Sequence, residues 1–138
     1  MPRLDMITRL QIEGLHPTAG YSHVTLVDAG RLAVLAGQCP LDSEGRLVGA
    51  GDLLAQIDQV VANAAQALMV AGTSPDQVIR TVIYVVSDDP TVLASVWDRL
   101  MASTLRDAFT TASTLVGVAA LGYKGQLVEL DLTAALPA

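Results

Sequence analysis

The sequence predicts an α+β domain: a mixed β-sheet of about six strands with two helices on one of its faces. Three observations carry that prediction. Runs of β-branched and aliphatic residues recur on both sides of two stretches with helical apolar spacing. The order along the chain is strand, strand pair, helix, strand, helix, strand, strand, with no internal repeat, linker or low-complexity tract. The two helices are few and long, which puts both on one sheet face. At 138 residues the chain has the size of one domain, and residues 1–138 are read as a single unit.

Each element follows from local chemistry. Ile7 to Ile12 alternates apolar and polar groups and reads as an edge strand. After a loop through Gly14, Pro17 and Gly20, His23 to Val27 and Arg31 to Leu35 read as strands. Between them Asp28-Ala29-Gly30 is a hairpin signal, since glycine takes positive φ at low cost. Pro40 stops the second strand, and 42–51 is a polar turn region. Asp52 is placed as N-cap of the longer helix, whose stripe is Leu53, Ile57, Val60, Val61, Ala64 and Leu68. Gln56, Gln59, Asn63 and Gln66 lie largely off that stripe. Gly72 and Pro75 end the helix. Val78 to Val86 is almost continuously apolar, as for a central strand buried on both faces. Asp88 or Asp89 then caps a second helix with Pro90 in its first turn, a stripe of Val92, Leu93, Val96, Trp97 and Leu100, and an end near Arg106. Ser113 to Val118 and Leu127 to Leu136 are the closing strands, joined through a loop at 122–125.

Composition narrows the function classes. Hydrophobic residues make up 51% of the chain and mean hydropathy is +0.46. That is apolar for a domain whose surface-to-volume ratio is high, and it points to an oligomer that buries an apolar sheet face. Polar residues interrupt every apolar run short of the ~20 residues of a membrane span. The net charge is −6, Lys124 is the one lysine, and seven arginines are scattered from Arg3 to Arg106. No basic stripe exists to displace counterions from a phosphate backbone, so nucleic acid is a poor partner. Cys39 is the single cysteine, which leaves no intrachain disulfide or zinc cluster. Met1 to Thr8 lacks a signal-peptide core, and the expected location is cytoplasmic.

Several short runs in order resemble one family. They are Gly20-Tyr21-Ser22-His23, Leu35-Ala36-Gly37-Gln38-Cys39-Pro40-Leu41-Asp42, Gly51-Asp52 with Gln56, Asn63 and Ala71-Gly72, and then Val78 to Val86. The closing pair is Leu115-Val116-Gly117-Val118-Ala119-Ala120-Leu121 with Leu127-Val128-Glu129-Leu130-Asp131. Together they resemble the RidA (YjgF/YER057c/UK114) family over about residues 7 to 136. The resemblance implies a chorismate-mutase-like fold and a homotrimer with a small-molecule cleft at each subunit boundary. It also implies hydrolysis of reactive imines or enamines, such as 2-aminoacrylate, to a carbonyl compound and ammonia, without metal or organic cofactor.

In that family an arginine within a Pro-Ala-Arg-Ser run clamps the substrate carboxylate. The matching run here is Thr111-Ala112-Ser113-Thr114, so Ser113 stands at the arginine position and the chain resembles the arginine-lacking, Rid-like branch. A guanidinium offers a bidentate charged fork and a serine one neutral hydroxyl. The exchange is worth about 1.5–3 kcal/mol, roughly tenfold to a hundredfold in carboxylate affinity.

Glu129 is the candidate catalytic residue. A carboxylate between Val128 and Leu130 can serve as a proton shuttle, and the resemblance places it in the cleft, positioning water; the alternative is an ordinary strand carboxylate facing solvent or an arginine. Tyr21 matches the cleft tyrosine, or packs at a turn. Ser113 or Thr114 offers a hydroxyl to the ligand, only one of them facing the cleft because strand neighbours alternate. The backbone at Val116 and Gly117 helps orient the ligand, with Gly117, Ala119 and Ala120 leaving room or permitting close packing. His23 reads as structural before catalytic, Cys39 as a small buried hydrophobe, Trp97 as core. Arg106 and Lys124 are the cations nearest in sequence to stand in for the clamp. The competing reading is a non-catalytic trimer that binds a small molecule or protein; a ribonuclease ranks last on charge.

Overall fold

The computed structural model describes residues 6–28 and 30–137. Its elements are β1 (Ile7–Leu10), β2 (Val24–Val27), β3 (Leu32–Val34), α1 (Leu53–Ala71), β4 (Val78–Val86), α2 (Pro90–Met101), β5 (Ala112–Val118) and β6 (Val128–Ala135). Four strands form one sheet in the order β3-β6-β4-β5, with β4 and β5 parallel and the other pairs antiparallel. β1 and β2 form an antiparallel pair beside β5. That pair is joined to β5 by a bridge from Ser22 to Ala112 and by the Thr25 hydroxyl, which accepts the Ala112 N–H at 2.9 Å. The mixed sheet with two helices is the predicted architecture.

The expected hairpin is not formed. β2 pairs with β1 (Ile7 opposite Val27), and β3 pairs with β6 (Leu32 opposite Ala135). Ala29, the centre of the proposed turn, lies outside the described residues. The physical reason is edge coverage: β6 would otherwise leave a row of unpaired backbone groups on its side away from β4, and β3 supplies their partners.

Asp52 caps α1 as predicted, its carboxylate accepting the Ala55 N–H at 3.1 Å. Gly72 closes the helix in the left-handed region at φ 88°. α1 is long and apolar enough by length and composition to cross a membrane, although Gln56, Asp58, Gln59, Asn63 and Gln66 interrupt its apolar run as expected. Its stripe Ile57, Val60, Ala64 and Leu68 is nevertheless wholly buried against the sheet, which makes it a core helix. α2 is capped by Asp89 and stops at Met101, short of Arg106. Ser103 ends it: its hydroxyl donates to Leu100 O and accepts the Leu105 N–H at 3.1 Å, an alternative to helical bonding. The chain then makes a 3-10 turn at Arg106–Phe109, which sends Ala108 and Phe109 into the core.

Only one sheet face is fully buried. Thr81, Ile83 and Val85 of β4 and Leu130, Leu132 and Ala134 of β6 face the helices. Val82, Tyr84 and Val86 lie on the other face and stay half-buried, so β4 is central without being covered on both sides. That second face is a mixture. Register puts Val116, Tyr84 and Glu129 in one row and Thr114, Val82 and Asp131 in the next, with Leu32 and Val34 exposed at the β3 edge (48% and 75%).

Candidate functional site

Glu129 sits beside Tyr84 on the open face, in a setting built by Gly37, Cys39 and Gln126. Cys39 donates its S–H to Glu129 Oε1 at 3.3 Å, and Gln126 Nε2 donates to the same oxygen at 3.1 Å. The carboxylate lies across Gly37, where a Cβ would run into Oε2. Oε1 is thus fixed by two neutral donors, and Oε2 is held over a backbone stripped of its side chain. Burial, then the hydrogen bond to Glu129 and its negative charge, push the Cys39 thiol up to about 11, against a smaller opposing pull from Gln126. Cys39 is therefore a thiol donor and no nucleophile near neutral pH.

The polar side of α1 holds this setting in place. Asn63 donates to Cys39 O (3.0 Å) and Leu41 O (2.9 Å), and Gln59 donates to Asn63 Oδ1 at 2.9 Å. Gln56 is fully buried, donates to Gly49 O and Gly125 O at 3.0 Å each, and accepts the Leu127 N–H at 2.7 Å. Gln56, read as lying largely off the apolar stripe, is buried all the same: its amide satisfies three loop backbone groups that burial would otherwise leave unpaired. Beside Cys39 opens a cleft of about 580 Å³ lined among others by Gln38, Asn63 and Tyr123.

A second cleft, about 420 Å³, lies on the helix side of β5 between Tyr21, Ala94, Trp97, Asp98, Ser113 and Leu115. Tyr21 and Trp97 meet edge to face at 6.0 Å, and Trp97 meets Phe109 at 6.1 Å. The indole N–H donates to Ala19 O at 2.9 Å. Tyr21 Oη and His16 Nε2 share a hydrogen bond of 2.8 Å. The Ser113 hydroxyl turns back to its own chain, donating toward Thr111 O (3.0 Å) and Phe109 O (3.3 Å).

The predicted residues therefore divide. Tyr21 and Ser113 share the aromatic cleft. Glu129, Val116 and Thr114 lie on the opposite sheet face, with Glu129 and Val116 flanking Tyr84. Gly117 belongs to neither; it lines a hollow at the β4–α2 turn, where a Cβ would strike Ser87 O. Trp97 lines the cleft as well as packing on the core, so it is more than the core residue expected. His23 Nδ1 accepts the Ile12 N–H at 3.1 Å, while its buried Nε2 has no hydrogen-bond partner among the described residues. Neither Arg106 nor Lys124 lines the aromatic cleft. Sequence reasoning passed over Gln126 and the donor role of Cys39; the one available signal was a glutamine three residues before an acid, at the mouth of an apolar strand. Among the described residues no three His, Cys, Asp or Glu side chains converge as a metal-ligand set.

The profile of a family described as Endoribonuclease L-PSP matches residues 11–136. The crystal structure of YyfB, a Rid-family protein of unknown function from Yersinia pestis, superposes with a TM-score of 0.87 at 35% identity, over 96% of this chain and 100% of that one. Rv2704 of Mycobacterium tuberculosis, a member of the YjgF/YER057c/UK114 family, superposes at 0.61 with 25% identity over 94% and 99%. The Escherichia coli YjgF product superposes at 0.60 with 23% identity over 93% and 98%, a likeness of fold. Among curated proteins, DfrA of Myxococcus xanthus is 36% identical over 64 residues, which is 46% of this chain and 49% of that protein. The match thus spans about half the length of that curated relative.

Proposed function

Since the chain belongs to the Endoribonuclease L-PSP (Rid/YjgF/UK114) family and has its α+β chorismate-mutase-like fold, we propose that it is a cofactor-independent hydrolase of small reactive imines or enamines. It works in the cytoplasm as a homotrimer with clefts between subunits. Glu129 and the Tyr21–Ser113 cleft lie on opposite faces of one sheet, so one substrate meets both only where Glu129 of one copy approaches the cleft of the next. The half-buried second sheet face and the exposed Leu32 and Val34 at its edge suit such packing.

The observation that carries the proposal is the orientation of Glu129. Two neutral donors on one oxygen leave the other free to take a proton from water, and no side chain stands at Gly37 to block it. Water oxygen bonds to the C=N carbon, one water proton passes to Glu129, and the C=N π pair becomes a nitrogen lone pair. Glu129 returns that proton to nitrogen. The carbinolamine then gives up its hydroxyl proton as the C–N bond breaks, leaving a carbonyl compound and ammonia. The sum is imine plus water to carbonyl plus ammonia, with no electrons gained or lost.

Charge disfavours the ribonuclease reading. Arg46 is engaged by Asp42 (3.2 Å) and Glu44 (3.0 Å), and Arg99 by Asp58 (2.7 Å), while the net charge is −6. The missing carboxylate clamp favours the other alternative, a trimer that binds a small molecule without turning it over. Stopped-flow assay of imines released by amino-acid and amine oxidases separates them. The wild type is expected to speed hydrolysis, and Glu129→Gln to lose about 10²–10⁴-fold in kcat with ligand affinity held. Equal rates for wild type and Glu129→Gln would overturn the catalytic reading and leave the binding one. A single stable subunit in sedimentation would overturn the trimer.

A further inference from the structure

We infer that the cleft between Tyr21 and Trp97 selects for positive charge, so that the preferred substrate is the iminium of a simple amine and not an imine bearing a carboxylate. This rests on the hydrolase reading of the same site.

Four features of the cleft agree in sign. Its lining contains no lysine or arginine, and its one charged group is Asp98 on α2. Among the described residues no cation pairs with the Asp98 carboxylate, whereas the neighbouring Arg99 is turned away to Asp58. The Ser113 hydroxyl has two backbone carbonyls of its own chain within reach of its proton, Thr111 O and Phe109 O, so donating to a carboxylate would mean giving these up, whereas its lone pairs can accept from a ligand N–H at no such cost. The Trp97 N–H is likewise committed to Ala19 O, leaving the indole to act through its ring. Tyr21 and Trp97 bring two electron-rich rings to one space, which attracts an adjacent cation.

A carboxylate placed here would face a like charge, and the donors of Ser113 and Trp97 already have backbone acceptors. An iminium would meet Asp98, the Ser113 oxygen and the rings, all favourable. At about 420 Å³ the cleft also has room for a ring-sized ligand.

Trp97 is the only tryptophan, so the intrinsic fluorescence of the full chain reads this cleft directly. Benzylammonium, benzyl alcohol and benzoate form a probe series of similar shape with charges of plus one, zero and minus one. The wild type is expected to bind benzylammonium at least tenfold tighter than benzoate, with the alcohol between them. Asp98→Asn, at an exposed helix position, is expected to bring the ammonium down to the level of the alcohol. Ser113→Arg is expected to reverse the order. Benzoate binding as well as benzylammonium in the wild type would overturn the inference, as would an ammonium preference unchanged in Asp98→Asn. Equal affinity for all three would leave a ligand cleft without charge selection, the hydrolase reading standing. No Trp97 response to any probe would also overturn the inference, and the hydrolase reading would then be decided by the Glu129→Gln rates alone.

Discussion

Replacing Gln56 by methionine tests how α1 holds the loops beside Glu129. The side chain is fully buried, and methionine keeps its length while removing the amide. Leu127 N–H, Gly49 O and Gly125 O then lose their partner. Each unpaired buried backbone group costs about 1–3 kcal/mol; at about 1–2 kcal/mol each, because loop groups can partly rehydrate, three cost on the order of 3–6 kcal/mol. Burying a thioether in place of an amide returns about 1–2 kcal/mol. The net loss is about 2–4 kcal/mol, or roughly 8–15 °C in Tm for a chain of this size. Urea unfolding followed by far-ultraviolet circular dichroism measures it, at fixed protein concentration because subunit association moves the midpoint, and with an unchanged m-value. Gln56→Glu keeps the shape but turns lone pairs toward two carbonyls, and is expected to be at least as destabilised at neutral pH. Gln126, a donor to Glu129, lies between two of the groups Gln56 holds, so turnover should fall along with stability. A loss below about 0.5 kcal/mol in Gln56→Met would refute the reasoning.

Three further outcomes follow from the same geometry. Gly37→Ala places a methyl where the Glu129 carboxylate lies, so kcat should fall at least tenfold while probe affinity in the Tyr21–Trp97 cleft stays within twofold; an unaffected kcat would show that the carboxylate moves freely. The Cys39 thiol, raised from 9.0 to about 11, should titrate near there by thiolate absorbance, and at a lower pH in Glu129→Gln. Because the folded state keeps its proton where the unfolded chain has lost it, this group's contribution to stability is complete below about pH 9 and is lost as pH rises toward 11; a melting temperature flat across that window in the wild type but falling in Cys39→Ala would contradict the assignment. Asp52→Ala removes the carboxylate that accepts the Ala55 N–H and should cost about 1 kcal/mol in urea unfolding, with Asp52→Asn near wild type.

The elements were legible where one local signal decides them. Asp52, Gly72 and Pro90 marked helix ends because caps and proline act within a turn, and the apolar run Val78 to Val86 matched its strand residue for residue. Pairing was not legible in the same way. β2 and β3 look like a hairpin locally, but their partners are chosen by which edges the rest of the sheet leaves open, a long-range matter. The burial of Gln56 was not legible for a related reason. Periodicity ranks a glutamine as surface, whereas loops that dock on the helix create buried carbonyls that need an amide. The site was half legible. Glu129, Tyr21 and Ser113 could be placed by motif, but no spacing reveals that Ser113 bends its proton inward or that Cys39 reaches across to Glu129.

The division of the site has a consequence for how its chemistry can vary. Glu129 is oriented by Gly37, Cys39 and Gln126, which are held in turn by Asn63 and Gln56 on α1. None of these lines the cleft of Tyr21, Trp97, Asp98 and Ser113, which is built from the first loop, α2 and β5 on the opposite sheet face. Within one chain, substitutions in the two halves share no hydrogen-bonding partner, so their effects on folding should be close to additive. Ser113 can therefore be exchanged without disturbing the hydrogen bonds that orient the Glu129 carboxylate. On the proposed reading, ligand charge is set on one face and proton transfer on the other, and they meet only through the substrate. A single residue exchange on β5 would then change which imine is held while leaving Glu129 where it is.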